Sequence, residues 1–144
     1  MDIGFFTNAG ADNTWSLQEC AKWAREHDFD CIRLADRGAA DSASILQDPS
    51  VLRDGLAEHD QYLACLTSHC NLLDDDAETA GLEQERLLRA IDAAAAIECP
   101  VVLTGSGSPG RNGTFYGMFS SPPGNARDRS DELVERYRQM FTPI

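Results

Sequence analysis

Short apolar runs alternate with helical segments along the chain, and this alternation restricts the possible folds more than any other feature. Runs at 3–7, 29–35, 62–67 and 99–104 each end in polar residues, and a helical segment follows each of them, the last after a long loop. This order predicts an α/β fold of four consecutive βα units with parallel strands. Arg33 interrupts the second run, which argues against complete burial of that strand. The alternation does not by itself distinguish a closed barrel from an open, doubly wound sheet.

The third run shows most clearly how a strand reaches a polar site. Leu63 to Leu66 is apolar, and the chain then changes abruptly to hydroxyl, imidazole and amide side chains at Thr67, His69 and Asn71. Buried parallel strands read as nearly continuous apolar runs because helices cover them. In α/β folds, ligands bind at the carboxyl ends of such strands. We therefore predict that the polar ends of all the strands lie at one edge of the sheet.

The first helix carries a clear start signal. Ser16 and Glu19 form a capping box, with Ser16 as N-cap and Glu19 at the third helical position. Apolar residues then recur at helical spacing, which predicts a face packed on the sheet. These residues are Leu17, Cys20, Ala21, Trp23 and Ala24.

Further helices are predicted from similar signals. Residues 38–47 are small and polar and predict a loop, after which Asp48 and Pro49 predict an N-cap and first helical position. The longest helix is predicted over 78–97 and a last one over 130–141. The acidic loop at residues 74–76, which lacks the ligand spacing of an EF-hand, is predicted to be solvated.

Composition excludes several classes of partner. The net charge of −12 argues against nucleic acid or an anionic membrane as the main partner. The sequence has no basic segment followed by an apolar one, and no apolar run near the roughly 20 residues of a membrane span. The five cysteines are odd in number, show no C-x-x-C pair and mostly occupy apolar positions. We therefore predict a cytoplasmic protein with reduced thiols.

The glycine-rich segment after the fourth run has two interpretations. Gly105 to Gly110 fits G-x-G-x-x-G, but the dinucleotide mechanism requires a helix to begin there, and the following sequence does not predict one. A substrate loop is favoured, in which Thr104, Ser106 and backbone N–H groups hold a hydroxyl or phosphate. A flavodoxin-like open sheet that binds a phosphate-bearing ligand at this loop is the alternative.

Several segments together resemble a known family. They are 3–8, 15–19, 29–36, 66–71, 89–96 and 101–110, and in this order they resemble the sugar phosphate isomerase/epimerase family, the xylose-isomerase-like group of TIM barrels. The resemblance implies a (β/α)₈ barrel that binds a divalent metal (Mn, Mg, Zn or Co) and isomerises or epimerises a sugar, sugar phosphate or polyol. In that family a carboxylate pair moves a proton next to a carbonyl, and the metal stabilises the enediolate.

The chain departs from this family in length. A TIM barrel usually needs at least about 200 residues, whereas these 144 residues hold four βα units. The metal ligands and acid/base glutamates of the family lie mainly on later strands, so no catalytic or metal-binding residue is assigned. We predict that residues 1–144 form a single, partial domain resembling the amino-terminal half of a barrel. Exposed sheet edges then predict self-association or pairing with a missing carboxy-terminal half.

The substrate-binding prediction rests on residues at strand ends. His69 matches a position where the family often has a histidine near substrate or metal, although a backbone carbonyl alone would also explain it. Asp36 follows the second strand and either faces the cavity or is a turn aspartate that pairs with Arg37 or caps the next segment. The predicted set is completed by Asn8 and Asn71, which either bind sugar hydroxyls or close turns, and by Thr104 and Ser106. A non-catalytic half-barrel that acts through association is the alternative function.

Overall fold

The fold consists of parallel strands joined by helices. The computed structural model describes residues 2–7, 15–36, 40–105, 107, 134–135 and 138–139. Residues 134–135 and 138–139 are helical and fall within the predicted last helix. The elements in chain order are β1 (Gly4–Thr7), α1 (Leu17–Glu26), β2 (Cys31–Ala35), α2 (Ser42–Gln47), α3 (Pro49–Ala57), β3 (Leu63–Thr67), α4 (Ala77–Ala96) and β4 (Val102–Leu103).

The four strands form one sheet in the order β1-β2-β3-β4, and every neighbouring pair is parallel. This confirms the predicted parallel sheet. The order also contradicts the flavodoxin-like alternative, in which the first strand lies between the second and the third. Strands that follow one another around the sheet in chain order are typical of a barrel.

Contacts group the residues into two units. The first contains Met1–His69 and Glu85–Thr104, and the second contains Cys70–Gln84 and Gly105–Ile144. The sheet lies in the first unit. That the whole chain is one partial domain stays a prediction. Among the described residues, no helix is both long enough and apolar enough to span a bilayer.

The sheet has two different faces because successive residues of a strand point to opposite sides. Ile32, Leu34 and Leu66 point toward the helices and belong to the buried core, which also includes residues of α1, α2, α3 and α4. The residues between them form the other side of the sheet. We call this side the inner face, and its residues include Phe6, Arg33, Cys65, Thr67 and Leu103.

The start of α1 agrees with the prediction. The Ser16 side chain accepts a hydrogen bond from the Glu19 N–H, and the Ser16 N–H donates to the Glu19 carboxylate at 2.6 Å. Hydrogen bonds from Ser16 lower the pKa of Glu19, and the bond from the Ser16 backbone has a larger effect than the bond from its side chain. Their stabilising effect is therefore present above the ordinary glutamate pKa and is lost as the pH falls through the lowered value.

The predicted loop at 38–47 is wrong for its second half, because Ser42–Gln47 is helical. The Asp41 side chain caps this helix by accepting from the Ser44 N–H at 3.1 Å. Only two residues of this six-residue helix are buried, and Ile45 is the apolar one of the two. The segment therefore carries no periodic apolar signal. The predicted N-cap at Asp48 and helix start at Pro49 are confirmed.

The cysteines behave as small apolar residues. All five are free, and four of them are buried. Burial raises the pKa of the Cys99 thiol above its ordinary value. This confirms that the cysteines mostly occupy apolar positions, while the reducing compartment inferred from them stays a prediction.

Helices α1, α3 and α4 end in the same way, although no glycine marks their ends. Asp28, Asp60 and Glu98 have positive φ angles of 59°, 52° and 58° and follow the last turn of these helices. The next residue in each case donates its N–H back to the carbonyl five residues earlier, as in a Schellman motif. These hydrogen bonds run from Phe29 to Ala24 at 3.0 Å, from Gln61 to Leu56 at 3.0 Å and from Cys99 to Ala94 at 2.8 Å.

We expect Glu98→Gly to stabilise the protein by about 0.5–1 kcal/mol, because a residue with a Cβ is strained in the left-handed conformation. The matched control is Glu58→Gly, at a residue with an ordinary φ of −55°. There glycine only adds freedom to the unfolded chain and should destabilise by up to about 1 kcal/mol. Urea unfolding of both variants measures the difference, and an equal loss of stability in the two would contradict the prediction.

Candidate functional site

The carboxylate of Asp36 forms a buried hydrogen-bonding centre just after β2. The side chain of Asp36 is only 4% exposed. One carboxylate oxygen accepts hydrogen bonds from the Ser42 N–H at 2.8 Å and from the Ser42 hydroxyl. The other accepts from the Ser68 hydroxyl at 2.9 Å. Asp36 therefore joins the segment after β2 to the start of α2 and to the residue that follows β3.

Arg86 connects the same centre to α4. Its Nε lies 4.0 Å from the Asp36 carboxylate, and its Nη1 donates to the His69 carbonyl at 3.5 Å. Both distances are at the outer limit of such contacts. The side chain of Arg86 is 40% exposed, so part of it remains accessible to solvent. Together these contacts hold the residues after β2 and β3 against one helix.

This arrangement bears on the two interpretations of Asp36. The carboxylate accepts from the first N–H of α2, as the capping alternative predicted. Protein donors on both carboxylate oxygens satisfy its charge in a buried position. Asp36 thus positions Ser68 and Arg86, and its direct contact with substrate stays a prediction.

His69 and Thr104 lie at the same edge of the sheet as Asp36. Both residues are half-buried. His69 lies two residues after the end of β3, and Thr104 directly follows β4. The Ser68 N–H donates to the Leu103 carbonyl at 2.9 Å, which keeps these two strand ends side by side. Three predicted residues are therefore brought to one edge, while Asn8 and Ser106 lie outside the described residues.

In the second unit, Asn71 is held by acidic side chains. Its N–H donates to Glu83 at 3.0 Å, and its side-chain amide donates to Asp74 at 3.0 Å. Asp74 also accepts from the Asp76 N–H at 2.9 Å and is 2% exposed. The predicted solvated loop is therefore wrong for Asp74, whose carboxylate is buried and accepts from backbone and amide donors. Nothing in the acidic run of the sequence indicated these donors. Whether Asn71 binds sugar hydroxyls stays a prediction.

Gly107 approaches Asn71 too closely for any other residue. Its φ is +81°, and a Cβ at this position would lie 2.1 Å from the Asn71 side-chain oxygen and 2.8 Å from its Cα. The second glycine of the G-x-G-x-x-G pattern is thus explained by a left-handed turn and a close contact. Neither requirement involves a nucleotide.

The sequence did not identify Ser42, Ser68 or Arg86 as part of this site. Ser68 lies within the polar end of the third run, so its position was a usable signal. Arg86 has no local signal, because a charged residue on a helix usually marks a solvated face. Only the crossover from β3 to α4 brings it to Asp36.

The described residues do not form a metal site. No group of three or more His, Cys, Asp or Glu side chains among them is arranged to hold a metal ion. The donors around Asp36 are hydroxyl, amide N–H and guanidinium groups, which satisfy an anion and do not bind a cation.

A cavity of about 240 Å³ lies at the other end of the sheet. It is lined where β3 begins and where α3 and α4 end, by residues that include Leu56, Leu63 and Ile97. Ligands of α/β folds bind at the carboxyl ends of the strands. The cavity therefore does not coincide with the candidate site.

Two solved structures have a similar fold. The crystal structure of the apo form of 3-keto-D-glucoside 4-epimerase from E. coli matches 99% of this chain with a TM-score of 0.60 and 14% identity. The probable 3-DHS dehydratase of petrobactin synthesis from Bacillus anthracis matches 97% with a TM-score of 0.62 and 15% identity. Both are TIM-barrel proteins. No family model and no curated protein matches the chain.

The chain spans about half the length of the solved structures that it matches, 52% of the epimerase and 47% of the dehydratase. At such low identities the likeness shows the fold alone. The fold is therefore that of four βα units of a TIM barrel.

We expect Asp36→Asn to destabilise the protein by about 1–3 kcal/mol, because the amide NH₂ would face groups that donate hydrogen bonds and the attraction to Arg86 would be lost. The matched control is Asp92→Asn, at an exposed position of α4, which should change the free energy of unfolding by less than about 0.5 kcal/mol. Urea unfolding provides the measurement, and similar values for the two variants would show that Asp36 is not a structural centre.

Proposed function

We propose that the chain contributes half of a TIM barrel that isomerises or epimerises a sugar or sugar phosphate. In this reaction a proton moves at a carbon next to a carbonyl. The proposal is supported by the resemblance of the sequence to sugar phosphate isomerases and epimerases. The fold shared with an enzyme described as a keto-glucoside epimerase agrees with it.

The observation that carries the proposal is the common edge formed by Asp36, His69 and Thr104. Parallel strands in chain order bring these residues to the carboxyl edge, which is where TIM barrels bind their substrates. The buried Asp36 carboxylate fixes the segments on which the site would depend. A fixed set of polar groups favours catalysis because little reorganisation is needed when substrate binds.

We assign His69 and Thr104 the role of binding substrate oxygens through their imidazole and hydroxyl groups. Arg86, whose side chain is 40% exposed, is assigned a further polar contact with the substrate. In this proposal the proton-transferring carboxylates and the ligands of a divalent cation come from outside the described residues, either from the rest of this chain or from a second copy of it, so the purified protein should be active. The described part of the chain binds and orients the substrate.

Deuterium exchange tests the proposal. The protein is incubated in D₂O with a panel of aldoses, ketoses and their phosphates, with Mn²⁺, Mg²⁺, Zn²⁺ or Co²⁺ and separately with a chelator. We expect deuterium at a carbon next to the carbonyl of one substrate, measured by NMR. His69→Asn should lower that rate by about 10- to 100-fold through the lost hydrogen bond.

The matched control is His59→Asn, because His59 follows α3 at the far end of the sheet. This variant should keep the full exchange rate. Absence of exchange with every member of the panel, or equal losses in the two variants, would exclude the proposed function.

A second candidate function is association without catalysis, and the exposure of the inner face favours it. Phe6 and Leu103 of this face are 46% and 40% exposed, and Val101, just before β4, is 48% exposed. In the described sheet, β1 and β4 each have one neighbouring strand and are its edges. We propose a second copy as the occupant, with β4 of each chain beside β1 of the other in a ring of eight strands.

For this candidate we expect sedimentation to show a dimer and Val101→Asp to shift it to monomer, because a carboxylate would be buried without a partner at the interface. The matched control is Val51→Asp, at a 63% exposed position of α3, which should leave the dimer intact. A monomeric parent protein would exclude self-association, whereas the exchange assay above remains interpretable.

A further inference from the structure

Arg33 is a charged residue in the middle of a strand, on the inner face of the sheet. It is the third residue of β2 and lies between Phe6 of β1 and Cys65 of β3 in the strand register. Its side chain is half-buried. A cation at such a position in a strand is uncommon because desolvation opposes the charge.

The guanidinium of Arg33 is held in place by two contacts. Its central carbon lies 4.4 Å from the centre of the Phe6 ring. Its Nε donates to the Thr67 hydroxyl at 2.7 Å, and Thr67 is almost completely buried. The stacking on the ring and the hydrogen bond through Nε leave the two terminal nitrogens side by side, with no hydrogen-bond partner among the described residues.

The side chain leans toward the carboxyl edge of the sheet. Arg33 is paired with Cys65 in the register, but it donates to Thr67, two residues further along β3. Two residues of a strand span about 7 Å. The guanidinium therefore extends from mid-strand toward the edge at which Asp36 and His69 lie.

Arg33 has no acidic partner among the described residues, although the chain has 24 acidic residues. Four other arginines of the described part of the chain form ion pairs. They are Arg25 with Asp60, Arg53 with Asp54, Arg86 with Asp36 and Arg138 with Glu135. A half-buried guanidinium that is held in one orientation, with no carboxylate partner among the described residues, favours the binding of an anion.

We propose that Arg33 binds an oxyanion of the substrate, a phosphate or a carboxylate, through its two terminal nitrogens. A planar fork matches two oxygens of either group, which a lysine cannot do. The inference rests on the proposed function in that the anion belongs to the sugar bound at the carboxyl edge. It narrows the substrate to a sugar phosphate or a sugar acid.

Anion binding without turnover tests this proposal. Inorganic phosphate and malonate are titrated into the protein at low ionic strength, with binding followed by calorimetry. We expect saturable binding of at least one anion, with phosphate assigning a phosphorylated sugar and malonate assigning a sugar acid. Arg33→Met should weaken that binding by about tenfold or more, because a charged hydrogen-bonding pair is lost.

Two further variants make the test specific. Arg89→Met removes an exposed arginine of α4 and should leave the affinity unchanged. Arg33→Lys keeps the charge on the inner face but lacks the fork, so its affinity should also fall, by several-fold. If circular dichroism shows that Arg33→Met does not fold, Arg33→Lys alone tests the proposal.

The proposal is overturned by any of three results. They are no saturable binding of either anion, unchanged affinity in Arg33→Lys, and an equal loss in Arg89→Met. Anion binding that depends on Arg33 in a protein without deuterium exchange would reject only the proposed isomerase function. The two proposals can therefore fail separately.

Discussion

Parallel pairing of the strands in chain order is the constraint on which the rest of the structure depends. Each strand lies beside its predecessor, so every helical connection returns the chain to the next position in the sheet. The core of the first unit then forms on the side that the helices cover, with Ile32, Leu34 and Leu66 as its sheet residues. The chain shares its fold with two solved TIM barrels at only 14–15% sequence identity. Such low identity is compatible with one fold, because a buried position requires an apolar side chain far more than a particular residue.

The buried carboxylate of Asp36 solves a problem that parallel strands create. Their carboxyl ends pass into loops, whose polar backbone groups need partners when they are buried. Asp36 accepts from the start of α2 and from Ser68, and it attracts Arg86 of α4. A single charged side chain therefore holds several connections together at the edge where a ligand would bind. The same contacts that stabilise this edge would also keep its polar side chains in fixed positions for the ligand that we propose.

The inner face differs from the helix-covered face in a way that bears on function. It combines exposed aromatic and aliphatic side chains, such as Phe6 and Leu103, with the oriented charge of Arg33. Exposure of such apolar side chains to water is unfavourable, which favours a structure that covers them. The guanidinium favours an anion at the carboxyl end of the same face. Covering by protein and binding of a small anion are compatible, because TIM barrels close over a packed interior and bind ligands at one rim.

The sequence by itself determined the number and order of the βα units, the capping signals at Ser16 and Asp48, and which strand ends carry polar residues. These features are local, and spacing or residue chemistry expresses them directly. The tertiary structure decided the rest. It made α2 a helix through one buried isoleucine, ended three helices in left-handed turns without glycine, and brought Arg86 to Asp36 across fifty residues of chain. Only folding brought Arg33 to the Phe6 ring and the Thr67 hydroxyl, because contacts between distant segments leave no mark in local periodicity.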